Sequence, residues 1–176
     1  MKALKVTLWV VAALISIVVI GGMLLPKTYT VSRSITINAK DSVIYHNIAN
    51  LNNFLKLNPW SKMEPTAKVT VSGLVAQEGH LYKWTGEKTG VGQMKITEVV
   101  PFSLVDIDLN FIKPFESKAD TKFTIVPAAS GNSVTWSMSG ENNSIMERWF
   151  GLTMEGMLGK DFESGLASLK ELSEKQ

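Results

Sequence analysis

Cysteine is absent from the 176 residues, and histidine occurs only as His46 and His80. The first absence excludes disulfides, thiolate metal sites and a cysteine nucleophile, and is compatible with either side of a membrane. Neither histidine has a second ligand at metal spacing. His46 falls on a short amphipathic helix and His80 beside Gly79 in a turn, so each is expected in a surface or capping role, and no metal or cofactor is implied. H-E-x-x-H, G-x-S-x-G and Walker A patterns are missing, and Gly90-Val91-Gly92 is a pair of turn glycines, far short of a dinucleotide fingerprint. No catalytic set is recognisable. Acidic side chains are missing from the first 40 positions, and charge of either sign is missing from Val6 to Pro26.

That uncharged run of 21 residues, between Lys5 and Lys27, is long enough to cross the hydrocarbon core of a bilayer as one helix. A cleaved signal peptide is the competing reading, since Lys2 and Lys5 precede the run. Two features oppose it: the run exceeds the roughly 7–15 residues of a signal core, and the exit Gly21-Gly22-Met23-Leu24-Leu25-Pro26 has no A-x-A-like cleavage site. The reading is residues 1–27 as an uncleaved single-pass anchor and residues 28–176 as one domain. Lys2, Lys5 and the terminal amine give a modest bias to a cytoplasmic N-terminus, which puts the domain on the extracytoplasmic, periplasmic side.

Removing the anchor changes the charge balance. Three of the 18 basic residues, Lys2, Lys5 and Lys27, leave with it, so 15 basic face 16 acidic side chains in residues 28–176, a net charge of −1. With neither a basic surplus nor a Lys/Arg cluster, the domain lacks the electrostatic footprint of a nucleic-acid binder.

After Pro26 the pattern has period two. Tyr29, Val31, Ile35 and Ile37 alternate with Thr30, Ser32, Ser34 and Thr36, as a half-wet strand does, and Arg33 interrupts the apolar side. Asp41 or Ser42 can cap a short helix, and a second spans Leu51 to Leu57 until Asn58-Pro59-Trp60 stops it. Six further antiparallel strands are expected between Ala67 and Gly140, punctuated by Gly90-Val91-Gly92, Pro101, Lys113-Pro114 and Ser130-Gly131-Asn132. A long helix then runs from about Ser144 to Glu171, with Ile145, Trp149, Leu152, Met157, Phe162, Leu166 and Leu169 on one stripe. Its glycines 151, 156, 159 and 165 each forgo about 1 kcal/mol of helix propensity, which implies a packing reason or a close approach of other atoms.

Parity separates the candidate site residues. Asp106 and Asp108 share a face opposite Val105, Ile107 and Leu109 and are expected in water. Glu98 shares parity with Met94, Ile96 and Val100, placing a carboxylate on the inner face. There it, like Arg33, requires a structural partner or serves as a clamp on a ligand head group. Trp60, Tyr82, Trp84, Met94, Phe111, Phe115, Trp136, Met138, Met154 and Met157 fall on inward parities or on the inner face of the long helix. Aromatic and thioether side chains of this kind fill a core or line an apolar ligand cavity.

The segments Tyr29 to Ala39, Asn58-Pro-Trp-Ser61, Pro114-Phe-Glu-Ser117, Val134 to Asn142 and Phe150 to Leu169 resemble the polyketide cyclase/dehydrase and lipid-transport family of the SRPBCC, START-like superfamily. The resemblance covers residues 27–176. It implies an α+β helix-grip fold: a seven-stranded curved antiparallel sheet wrapped around a long C-terminal helix, two short helices after the first strand, and a cavity between sheet and helix. It also implies binding of a lipid or other hydrophobic small molecule, with those ten apolar residues and Glu98 as the candidate ligand set. Two other classes remain open. One is a cyclase or dehydratase with Glu98 or Tyr82 as its acid or base. The other is an accessory subunit of a membrane complex, whose anchor packs on a membrane-protein partner through Ala12, Ala13, Ser16, Gly21 and Gly22.

Overall fold

The computed structural model describes residues 2–176. It opens with α1 (Lys2–Leu24), a helix long and apolar enough to cross a membrane. Only Leu25, Pro26 and Lys27 separate α1 from strand β1 (Thr28–Ile37). Three short helices follow, α2 (Asp41–Ala49), α3 (Leu51–Leu57) and α4 (Pro59–Met63), then strands β2 (Lys68–Ser72), β3 (Leu81–Thr85), β4 (Val91–Val100), β5 (Leu104–Lys113), β6 (Ser117–Ala128) and β7 (Gly131–Glu141). Helix α5 (Ile145–Glu174) closes the chain behind a capping box, in which the Ser144 hydroxyl accepts from Glu147 N–H and the Glu147 carboxylate accepts from Ser144 N–H.

All seven strands form one antiparallel sheet in the order β1-β7-β6-β5-β4-β3-β2. Its register places Thr28 opposite Glu141, Ala119 opposite Gly140, Phe111 opposite Ser117 and Thr85 opposite Val91. The α1–β1 link, the 114–116 turn and the 86–90 turn therefore lie along the same end of the sheet. The concave face is dry, with Val31, Ile37, Ile96, Val105, Ile107, Phe123, Val134 and Trp136 buried against Phe162, Leu166 and Leu169 of α5. This is the helix-grip arrangement.

The glycines of α5 set how closely it is gripped. A Cβ on Gly165 would meet Trp136 Cζ3 at 2.5 Å, so the bare backbone lets the helix lie on the indole. The indole stacks on Phe162 with 4.3 Å between ring centroids and on Phe123 at 4.9 Å. At Gly159 the missing Cβ leaves space for the Arg33 guanidinium, which reaches across from β1 to Glu155 (2.5 Å) and Glu163 (2.7 Å). Gly156 faces open space.

Local departures from the sequence pattern have local causes. The Leu51–Leu57 helix stops before Pro59 as expected, with Asn58 extended, but Pro59 also begins another: it occupies the first turn of α4, where its missing N–H has no intrahelical partner to lose, and Asn58 caps that helix by accepting from Trp60 N–H. Three short helices thus follow β1 instead of two. Asp41 is the first residue of α2 rather than its cap. A β-bulge between Ile96 and Glu98 shifts the parity of β4, so Glu98 stands exposed on the outer face opposite Asp106. Asp106, expected in water, is buried there in an ion pair with Lys122 at 2.7 Å, and the neighbouring Asp120 carboxyl is pushed up by burial and then by the Asp106 charge.

His80 is buried rather than exposed. Its Nε2 accepts from Leu51 N–H at 3.2 Å, capping α3, and its Nδ1 lies 3.0 Å from the Ser72 carbonyl, so the neutral ring with the proton on Nδ1 fastens α3 to the β2–β3 connection. In α5 the expected stripe divides: Phe162, Leu166 and Leu169 are inside, while Leu152 and Met157 are exposed.

Gly165→Ala should cost about 1–3 kcal/mol, because the ring it meets is held from both sides. Gly156→Ala should gain up to about 1 kcal/mol from helix propensity alone. Urea unfolding of the two variants in detergent checks the opposite signs.

Candidate functional site

Helix α5 lies along β1 and β7, α2 packs on β5 and β6, and α3 lies over β3 with α4 beside α5. Between them lies a cavity of about 360 Å³. Its inner wall is an unbroken series of rings: Phe111 meets Trp84 at 5.7 Å between centroids, Trp84 meets Tyr82 at 6.2 Å, Tyr82 meets Phe54 at 5.8 Å, and Phe54 meets Trp136 at 6.5 Å. Strand periodicity produces this series, since Tyr82 and Trp84 are two apart on β3 and Phe111 lies two strands away on the same face. Gly92 makes room for Trp84: a Cβ there would meet the indole at 2.3 Å, and the indole N–H reaches the Thr89 carbonyl at 3.1 Å. Met94, Leu109 and Met138 complete the floor, and Leu158 and Phe162 form the helix side. Trp60, aimed by the Asn58 cap, meets the Trp136 edge at 6.3 Å.

The rim is polar. Exposed Met63, Pro65 and Lys88 stand around the opening with Ser61 and Thr89. Glu64 is the organising residue: one oxygen accepts from Glu87 N–H at 2.7 Å, and the other from Thr89 N–H (2.8 Å), the Thr89 hydroxyl (2.7 Å) and Lys88 N–H (3.1 Å). One carboxylate thus holds the β3–β4 turn closed. The Thr89 hydroxyl and then the Thr89 amide, with the Lys88 and Glu87 amides, lower its pKa from 4.5 to about 2 against the opposing effect of burial. Deeper in, burial pushes the Tyr82 phenol above its usual range, with a smaller opposite contribution from Asn58.

Of the sequence-predicted residues, the fold brings Trp60, Tyr82, Trp84, Met94, Phe111, Trp136 and Met138 to this cavity. Met154 lines a second, smaller cavity of about 180 Å³ with Tyr29, Arg148 and Gly151. Three lie elsewhere. Glu98 is turned outward by the bulge. Phe115 is 81% exposed in the turn after β5, where strand parity no longer applies, and Met157 is on the outward side of α5. Sequence reasoning missed Phe54, which shares the α3 face of Leu51 and Leu57 and was detectable from that spacing. It also missed Glu64, whose partners lie 23–25 residues away and leave no local signal. Among the described residues no group of three or more potential metal ligands occurs.

The family described as "Polyketide cyclase / dehydrase and lipid transport" matches residues 28–174, the whole sheet together with the helices that fill it. The chain belongs to that family. No sequence match is found among curated proteins. Solved structures share the fold of this family member at low identity. Protein MLL2253 from Mesorhizobium loti is 14% identical, covers 84% of this chain and 98% of its own, and has a TM-score of 0.61. The di-domain ARO/CYC StfQ from the steffimycin biosynthetic pathway is 8% identical, with 84% of this chain and 51% of its own covered at a TM-score of 0.65. The Aha1 dimer from Colwellia psychrerythraea is 18% identical, with 82% and 96% covered at 0.56. At these identities the likeness carries the fold alone.

The depressed Glu64 pKa makes stability pH-dependent. Its contribution is fully present above the unfolded value of 4.5 and is lost as pH falls through about 2. The wild type should therefore weaken across that window. Glu64→Gln should already be weaker at neutral pH and show a flatter acid limb, as read by urea midpoints against pH.

Proposed function

We propose that the protein is a membrane-anchored binding domain: residues 1–27 tether it, and residues 28–176 hold a lipid or other hydrophobic small molecule between the sheet and α5. The observation that carries this reading is the ring-lined cavity of about 360 Å³, within the roughly 300–1,000 Å³ typical of small-molecule sites and apolar in the same manner. Its size suits one compact apolar molecule or a single acyl chain. Each methylene moved from water into it contributes about 0.8 kcal/mol before the cost of immobilisation. The seven predicted residues that meet there form the proposed contact set, together with Phe54 and Leu109.

The titratable groups on the wall support holding over proton transfer. The Glu64 oxygens are committed to the β3–β4 turn, the Tyr82 phenol stays protonated, and Lys88 stands at the rim, where it suits a polar or anionic head group. The anchor supports the same reading, because it keeps the cavity beside a source of apolar molecules. The N-terminal charge bias favours an extracytoplasmic domain.

Mass spectrometry of solvent extracts from the detergent-purified protein is the test. An apolar compound should be present in near-stoichiometric amount, and Ala67→Trp at the rim and Leu109→Phe in the wall should each lower it to about half or less while unfolding stays cooperative, the fall expected when binding weakens by tenfold or more, about 1.4 kcal/mol. Equal amounts in wild type and both variants would show micelle-borne material and end the proposal.

A further inference from the structure

The side of α5 that faces away from the sheet changes character halfway along. Met146, Trp149, Phe150, Thr153 and Met157 recur at intervals of three and four residues, so they form one stripe on the side opposite Phe162, Leu166 and Leu169. The stripe is uncovered, with Met146 71%, Phe150 55% and Met157 54% exposed. Beyond Met157 the same side carries Lys160, Ser164, Glu171 and Lys175. A helix side facing water throughout is polar throughout. This one is apolar for three turns and polar for the rest, and a contiguous exposed apolar patch marks a contact surface.

The stripe is continuous with the anchor. The Trp149 indole N–H donates to the Val18 carbonyl of α1 at 3.1 Å, and its ring lies against Gly21 and Gly22, with Arg148 reaching the Gly22 carbonyl at 3.3 Å. Val18 is six residues before the end of α1, about 9 Å along the helix at 1.5 Å per residue. The first turns of α5 are therefore held beside a part of α1 that, in a membrane-spanning helix, sits below the surface of the bilayer.

From this continuity we infer that the first half of α5 rests in the lipid interface, its outer stripe in contact with the bilayer, so that the domain is seated on the membrane rather than suspended above it. The inference rests on the reading of α1 as a membrane span. Tryptophan and phenylalanine suit such a site, as amphipathic helices of this kind bury their apolar side by roughly 5–10 Å at the boundary of head groups and acyl chains. Phe115, 81% exposed, is a further apolar side chain at the end of the sheet where β1 begins. The 86–90 turn on the cavity rim lies along that same end.

The absence of cysteine makes the test direct. Single substitutions Phe150→Cys, Met157→Cys, Ser164→Cys and Ile15→Cys in the full chain would each carry a nitroxide, with the protein in vesicles of phosphatidylcholine and phosphatidylglycerol. Paramagnetic relaxation by oxygen, which concentrates in lipid, is compared with relaxation by a water-soluble nickel chelate. Labels at 150 and 157 should relax several-fold more with oxygen, as at 15, and the label at 164 should show the reverse. If 15 reports lipid while 150 and 157 match 164, the seated geometry is overturned and the anchor stands. A water-like label at 15 overturns the anchor reading and this one with it. Labels at 150 and 157 shielded from both reagents would mean that protein covers the stripe, which also overturns the lipid contact.

Discussion

The contact between Trp136 and the bare backbone at Gly165 fixes the rest of the molecule. An indole clasped between Phe162 and Phe123 cannot retreat, and a helix lacking a side chain at that point can approach until backbone and ring touch. Together with Arg33 under Gly159, this binds α5 to the β1–β7 side of the sheet. Because the sheet is seven strands wide and α5 lies along β1 and β7, close contact on one side leaves a gap on the other. The short helices α3 and α4 roof that gap without filling it, and the cavity is what remains. Hollow space here is a consequence of tight packing nearby, not of loose packing throughout.

Polar groups act as fasteners around that arrangement. His80 joins α3 to the β2–β3 connection, Glu64 holds the β3–β4 turn and Asn58 starts α4, and each satisfies backbone N–H groups that would otherwise be left unpaired. All three act on segments that border the cavity. The roof and rim are therefore defined by a few charge-assisted or capping hydrogen bonds, whereas the floor is defined by ring packing. The rim and α4, which has no buried residue, are the parts of such a domain best suited to open, since local opening begins where few apolar contacts must be broken.

Most of the fold was legible because its periods are simple. Alternation in residues 29–37, 119–125 and 134–138 gave strands and the correct inward side, and the inward rings Tyr82, Trp84, Phe111 and Trp136 followed from parity alone. The glycine content of α5 also announced a close approach before any contact was known. What could not be read was whatever breaks a period or acts at a distance. The bulge after Ile96 inserts one residue and reverses the side of Glu98, and no residue type marks it. Proline is equally suited to ending a helix and to beginning one, so Pro59 was ambiguous. Glu64 resembles any exposed glutamate until the turn folds over it. In α5, apolar side chains on two opposite sides merged into one apparent stripe, which hid the outward set.

The three-residue link between α1 and β1 sets a range of action. Fully extended, Leu25-Pro26-Lys27 spans about 10 Å. On the proposed reading of α1 as a membrane span, a domain so closely leashed cannot ferry cargo across an aqueous gap to a second membrane. Delivery would then occur where the protein stands, with the recipient coming to it by lateral diffusion or docking from solution, so traffic would be governed by encounter in two dimensions and by how many copies occupy a given area of membrane.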